Sequence, residues 1–192
     1  MALTMEWKRD VLSAMGLSLV NLSAKDWVLL ILHVGGQSPI KGEEILHTIF
    51  FMMQYPPFNF RPLILSVYSN ELHHAIEELT EMGLVKREYA FEKGRAVEVL
   101  ALTEKGAFEA SKLAEKVGGS WISIGGVMVR EGSKVLSELE AMKKTYNGRD
   151  ITELLKLFLD RIDDPESTFD LWFTRDEIEY LKKVYRSFKR IM

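Results

Sequence analysis

Ser69-Asn70-Glu71-Leu72-His73-His74-Ala75-Ile76-Glu77-Glu78-Leu79-Thr80-Glu81-Met82-Gly83-Leu84-Val85 is the stretch that decides the fold. Ser69 reads as an N-cap, since its hydroxyl can accept from an unpaired backbone N–H of the first turn. Leu72, Ala75, Ile76, Leu79 and Met82 recur at helical spacing and form an inner face. Asn70, His73, His74, Glu77, Glu78 and Glu81 then point outward, and Gly83 supplies the stop. Val85 to Phe91 alternates as a strand, Glu92-Lys93-Gly94-Arg95 is a turn, and Ala96 to Leu102 returns. A two-stranded hairpin is marginal alone, so this one must lean on the helix before it.

Upstream, Ser23-Ala24-Lys25-Asp26 resembles a capping box with Asp in place of Glu. Trp27 to Val34 is apolar all round and should be buried. Gly35-Gly36 ends that helix, and Pro39 prevents an immediate restart. Ile45, Leu46, Ile49, Phe50 and Met53 predict a second helix from about Ile40 to Met53, stopped by Pro56-Pro57. Tyr55 to Ser66, rich in proline and aromatics, is expected to pack onto the domain. Glu6 to Leu17 predicts a first helix capped by Thr4, with Trp7, Val11, Leu12 and Met15 on one side.

Downstream, Thr103 caps a helix carrying Phe108, Leu113 and Val117. Gly118-Gly119 is the candidate boundary, and Trp121 to Val129 takes no firm assignment. Three helices are predicted beyond it: Ser133 to Tyr146, Ile151 to Ile162 behind Asp150-x-x-Glu153, and Arg175 to about Ile191 behind Thr174-x-x-Glu177. Leu171, Trp172 and Phe173 are expected to act as a hydrophobic staple or to fill a dimer interface. The expected fold class is mainly α with a small β-hairpin (α+β). The organisation is an N-terminal helix over 1–22, a helix, helix, helix, hairpin unit over 23–117, and a C-terminal helical region over 118–192 for dimerisation or packing.

That order is the winged helix-turn-helix layout. Ala75 to Val85 looks like the end of a winged-helix recognition helix. Leu102-Thr103-Glu104-Lys105-Gly106 is similar to the string that follows the hairpin in MarR-like and PadR-like regulators. Leu30-Ile31-Leu32 followed by Pro39-Ile40-Lys41-Gly42-Glu43-Glu44-Ile45 is similar to the PadR opening. Ser66 to Leu72 also resembles archaeal and antitoxin-type winged helices. The resemblance covers about half the chain, 23–117. The connection from Met53 to Ser69 is longer than a tight helix-turn-helix turn, and the C-terminal region exceeds one dimerisation helix. The resemblance implies a homodimeric, cytoplasmic transcriptional regulator that binds double-stranded DNA.

In that setting Asn70 could pair with adenine, and His73 and His74 could meet base acceptors or phosphate. Lys86, Arg87, Lys93 and Arg95 lie on the wing, where cations approach the backbone or minor groove. Lys41 and Arg61 could add contacts at the edge. Charge opposes this. The chain has a net charge of -3, and Ser66 to Met82 holds Glu71, Glu77, Glu78 and Glu81 with no Lys or Arg. Phosphate contacts supply most non-specific affinity, so DNA grip should come mainly from the wing. A winged-helix protein-interaction module without DNA binding, antitoxin-like or an adaptor, is therefore the alternative. A ligand pocket among the aromatics of Tyr55 to Phe60 is compatible with the first function. The basic end of the last helix (Lys182, Lys183, Arg186, Lys189 and Arg190) reads as favourable charge at a helix C-terminus or as a second backbone contact.

The chain has no cysteine, which excludes disulfides, thiolate metal sites and thiol nucleophiles. It shows no Gly-rich phosphate loop, nucleophile elbow or HExxH. Gly125-Gly126 is too weak a signal, and Asp163-Asp164 before Pro165 reads as a turn. No enzyme activity and no cofactor are expected. His73 and His74 are adjacent on a helix, about 100° apart, and do not suit one metal ion. His33 reads as a satisfied core residue. Met1 to Asp10 is charged and does not read as a signal peptide, and Trp27 to Leu32 is too short to span a membrane. Scarce Asn and Gln with no Cys point to a thermophile, against which stand the 9 methionines.

Overall fold

The computed structural model describes residues 3–63, 66–92, 94–124, 128–162 and 173–189. Lys93, Gly125-Gly126, Asp163-Asp164, Leu171-Trp172 and Arg190 lie outside them. The described residues form an α+β structure of eight helices and three small sheets.

The chain opens with α1 (Leu3–Ala14), which starts before Thr4, and β1 (Leu19–Asn21). Next comes α2 (Ala24–His33), with the capping box realised: Ser23 Oγ accepts from Asp26 N–H, and the Asp26 carboxylate accepts from Ser23 N–H at 2.8 Å. Trp27 to Leu32 are all buried, so α2 is hydrophobic around its circumference, and it packs against later helices on several sides.

α3 (Glu43–Phe51) is shorter than the predicted 40–53 helix. Ile40 exchanges both backbone hydrogen bonds with Leu100, at 2.9 and 2.8 Å, which removes it from any helix. The Tyr55–Ser66 connection does pack. Phe58 and Phe60 are buried, Phe58 edge-on to Phe50 at 5.0 Å. It also forms a short hairpin, β2 (Arg61–Pro62) with β3 (Val67–Tyr68).

α4 (Asn70–Glu81) is capped by Ser69, as expected, with Leu72, Ala75, Ile76 and Leu79 buried. β4 (Val85–Glu92) and β5 (Arg95–Leu102) pair in register from Val85↔Leu102 to Glu92↔Arg95, and Gly94 takes φ 77° at the tip. α5 (Glu104–Gly118) follows, capped by Thr103. Gly106 belongs here for a steric reason: a Cβ on it would lie 1.9 Å from the Leu84 carbonyl oxygen. The glycine lets α5 sit directly on the root of the hairpin.

Trp121 to Val129, unassigned from sequence, contributes to a third hairpin. β6 (Trp121–Ile124) pairs antiparallel with β7 (Met128–Glu131), and β1 adds in parallel to β6. α6 (Gly132–Tyr146), α7 (Ile151–Ile162) and α8 (Arg175–Lys189) close the chain. The core is continuous across Gly118-Gly119: Val135 and Leu139 of α6 join the cluster around α2. Phe173 is buried and stacks on Phe51 at 5.4 Å, so it fills the core of its own chain.

Candidate functional site

Glu43 is the first residue of α3 and the hub of a polar cluster between α3, α4 and the β4–β5 hairpin. Its carboxylate is 14% exposed. Oε1 lies 3.3 Å from His47 Nε2 and 2.6 Å from His73 Nδ1, and Oε2 accepts from the Arg87 guanidinium at 3.0 Å. Arg87 also donates to Glu98 at 2.9 Å, diagonally across the hairpin. His47 is buried, and its Nδ1 accepts from Ser69 N–H at 3.0 Å. That bond places the proton of a neutral His47 on Nε2, where it donates to Glu43. Tyr68 stacks on the same ring at 4.9 Å.

Burial alone would raise the Glu43 pKa. Hydrogen bonds from His47 and His73 and the charges of His73 and Arg87 outweigh it and bring the pKa down to about 2. Burial likewise works against the Arg87 charge, but Glu98 and Glu43 more than compensate and raise its pKa. Both shifts favour the charged forms of this half-buried pair.

The eight expected DNA contacts fare differently. Asn70 opens α4, exposed, and its side-chain oxygen accepts from Arg61 at 3.2 Å. His73 is a correction: it turns inward to Glu43, with its other ring nitrogen 3.4 Å from Glu77. His74 does face outward, 64% exposed and 3.4 Å from Glu77. Lys86 pairs with Glu88 at 2.7 Å. Arg87 is tied between two carboxylates. Lys41 stands apart from the α4 group, its backbone N–H donating to Asn147, the residue that follows Tyr146 at the end of α6, at 3.0 Å. Arg95 opens β5, and Lys93 is outside the described residues.

The result is an acidic surface. Lys25 of α2 pairs with Glu78 at 2.8 Å and lowers its pKa. Glu71 and Glu81 are exposed without an ion-pair partner among the described residues. Tyr89 and Phe91 alternate with Arg87 on one hairpin face and are 72% and 83% exposed. Glu43, His47, Tyr68 and Glu98 were missed from sequence. Only the Glu43–His47 spacing of one helical turn carried a local signal.

Among the described residues no cluster of three or more His, Asp or Glu suits a metal ion, and no helix is long and apolar enough to cross a membrane. Compared with protein-family models, curated proteins and solved structures, the chain matches none.

Proposed function

We propose that this chain is a winged-helix module that recognises a basic segment of a partner protein. Glu71, Glu77 and Glu81 of α4 would meet the partner's cations, and Tyr89 and Phe91 its apolar side chains. Three helices, a hairpin, and the single antiparallel bridge of Ile40 to Leu100 beside it support the winged-helix assignment. One observation carries the preference for a protein partner. Arg87 is committed to Glu43 and Glu98, Lys86 to Glu88 and Lys25 to Glu78, while Glu71 and Glu81 face solvent and Arg61, beside the start of α4, is held by the Asn70 amide oxygen. A phosphate backbone approaching α4 would meet like charge and would have to break those pairs. Fluorescence anisotropy with a labelled Lys/Arg-rich peptide and a labelled random-sequence duplex tests this. Salt-sensitive binding of the peptide and none of the duplex is expected. Duplex binding without peptide binding would overturn it.

The second reading is a homodimeric DNA-binding regulator gripping through the wing. The eight-residue strands of β4 and β5 favour it, because toward the turn at Gly94, with Arg95 beside it, Tyr89 and Phe91 are exposed rather than packed on the helices. Changing Lys93 and Arg95 to Ala would then abolish a salt-dependent affinity for duplex.

A further inference from the structure

Beyond α2 and its extended C-cap Val34 come three successive residues in the left-handed region: Gly35, Gly36 and Gln37, at φ 68, 68 and 59°. Glycine adopts that conformation freely, whereas Gln37 is strained in it. The bend lies beside α6 and leaves two adjoining clefts, of about 500 and about 330 Å³, which share Gly35 and Glu140. A residue held in a strained backbone conformation by its surroundings is a pointer to function at the clefts beside it.

The chemistry of the clefts is unbalanced. Lys143, 2% exposed, lines the smaller one. Its ammonium donates to the carbonyls of Leu32 at 3.1 Å and Val34 at 2.9 Å. An ammonium has three N–H bonds, and among the described residues the third finds no acceptor. Lys144, beside it in the same cleft, is exposed and has no carboxylate partner among the described residues. In the larger cleft stands His33, half-buried, against the expectation of a satisfied core residue. Its Nδ1 is buried and has no hydrogen-bond partner among the described residues. The wall the two clefts share carries one carboxylate, the exposed Glu140.

We infer that the paired clefts bind a small zwitterion of the amino-acid type. Its carboxylate would be taken by Lys143 and Lys144, its ammonium by Glu140, and its side chain would enter the larger cleft toward His33. A plain anion satisfies the lysines but is opposed by Glu140, and a plain cation the reverse. Only a ligand carrying both charges a few bonds apart suits the shared wall and the lysine end together. The larger cleft mixes Ala114 and Leu136 with Gln37 and Ser137, so it admits a medium, partly polar side chain. Lys143 and Asn147 also hold the connection leading to α3, because Asn147 accepts from Lys41 N–H and donates to the Pro39 carbonyl.

The test is a set of titrations of the full chain followed by amide NMR and thermal melting. The probes are L-glutamine, L-leucine and L-lysine, with acetate and inorganic phosphate as controls. At least one amino acid should move the amides of 33–37 and 143–147 saturably and raise Tm. Acetate and phosphate should bind at least about tenfold more weakly, the step expected when one charged contact is lost. Lys143→Met removes two caps of α2 and can unfold the chain, so the exposed Glu140→Gln and Lys144→Ala carry the argument. Each should weaken the amino acid about tenfold or more without lowering the unliganded Tm appreciably. No saturable shift with any amino acid would overturn the inference. So would equal binding of acetate or phosphate, or affinities unchanged in both variants.

Discussion

Glu43 Oε2 accepts from the Arg87 guanidinium at 3.0 Å, joining the first turn of α3 to the hairpin across 44 residues of chain. His73 of α4 closes the third side on the same carboxylate. The hairpin is thus tied to the helices through one half-buried carboxylate and its three partners.

Replacing Glu43 with Gln should therefore destabilise the fold mainly at neutral pH. The carboxylate's pKa falls from 4.5 to about 2 on folding, a difference worth on the order of 3 kcal/mol. Because the folded value is the lower one, that stabilisation is complete above about pH 4.5 and is lost as pH falls toward 2. Urea unfolding of wild type and Glu43→Gln across this range should show two midpoints that converge in acid. A constant gap would contradict the role given to the carboxylate.

Lys143 behaves in the opposite sense. Burial brings its pKa down from 10.5 to about 8, against the pull of Glu140, while His33 is the other titratable group facing it. Between about pH 8 and 10.5 the unfolded chain binds more protons at this site than the folded one. Wild type should therefore gain stability relative to Lys143→Met as pH rises through that interval, measured by urea midpoints. The two should run parallel below it.

Gly106→Ala should cost about 3 kcal/mol, near the upper end for overpacking, since the new methyl would meet the Leu84 carbonyl oxygen at 1.9 Å. Alanine normally favours a helix over glycine, so intrinsic propensity alone predicts the reverse sign. A thermal melt of the variant decides between them.

Much of the scaffold was legible because its signals are local. The caps at Ser23, Ser69, Thr103 and Thr174 are each read within four residues, and the structure places all of them. The inner face of α4 follows from periodicity, and the Glu92–Arg95 turn from Gly94, though the strands run one residue further into it on each side. What escaped depends on distant partners. Ile40 left the predicted helix because Leu100 was waiting for it. β1 and β6 pair in parallel about a hundred residues apart, through segments of three and four residues that carry too little pattern. His73 sits on the outer arc of α4 by helical phase, yet the Glu43 carboxylate draws it inward. Pattern gives the direction of a side chain but not the charge it meets.

The most direct measurement is the affinity for basic peptide and for duplex DNA, compared between wild type and the double charge reversal Glu71→Lys with Glu81→Lys. Both positions are exposed, so folding should be preserved. A protein-recognition face predicts that wild type binds the Lys/Arg-rich peptide and ignores duplex. The reversal should weaken the peptide at least about tenfold and create a salt-dependent affinity for DNA. Wild type that binds duplex with a steep salt dependence, and a reversal that leaves peptide affinity unchanged, would contradict it.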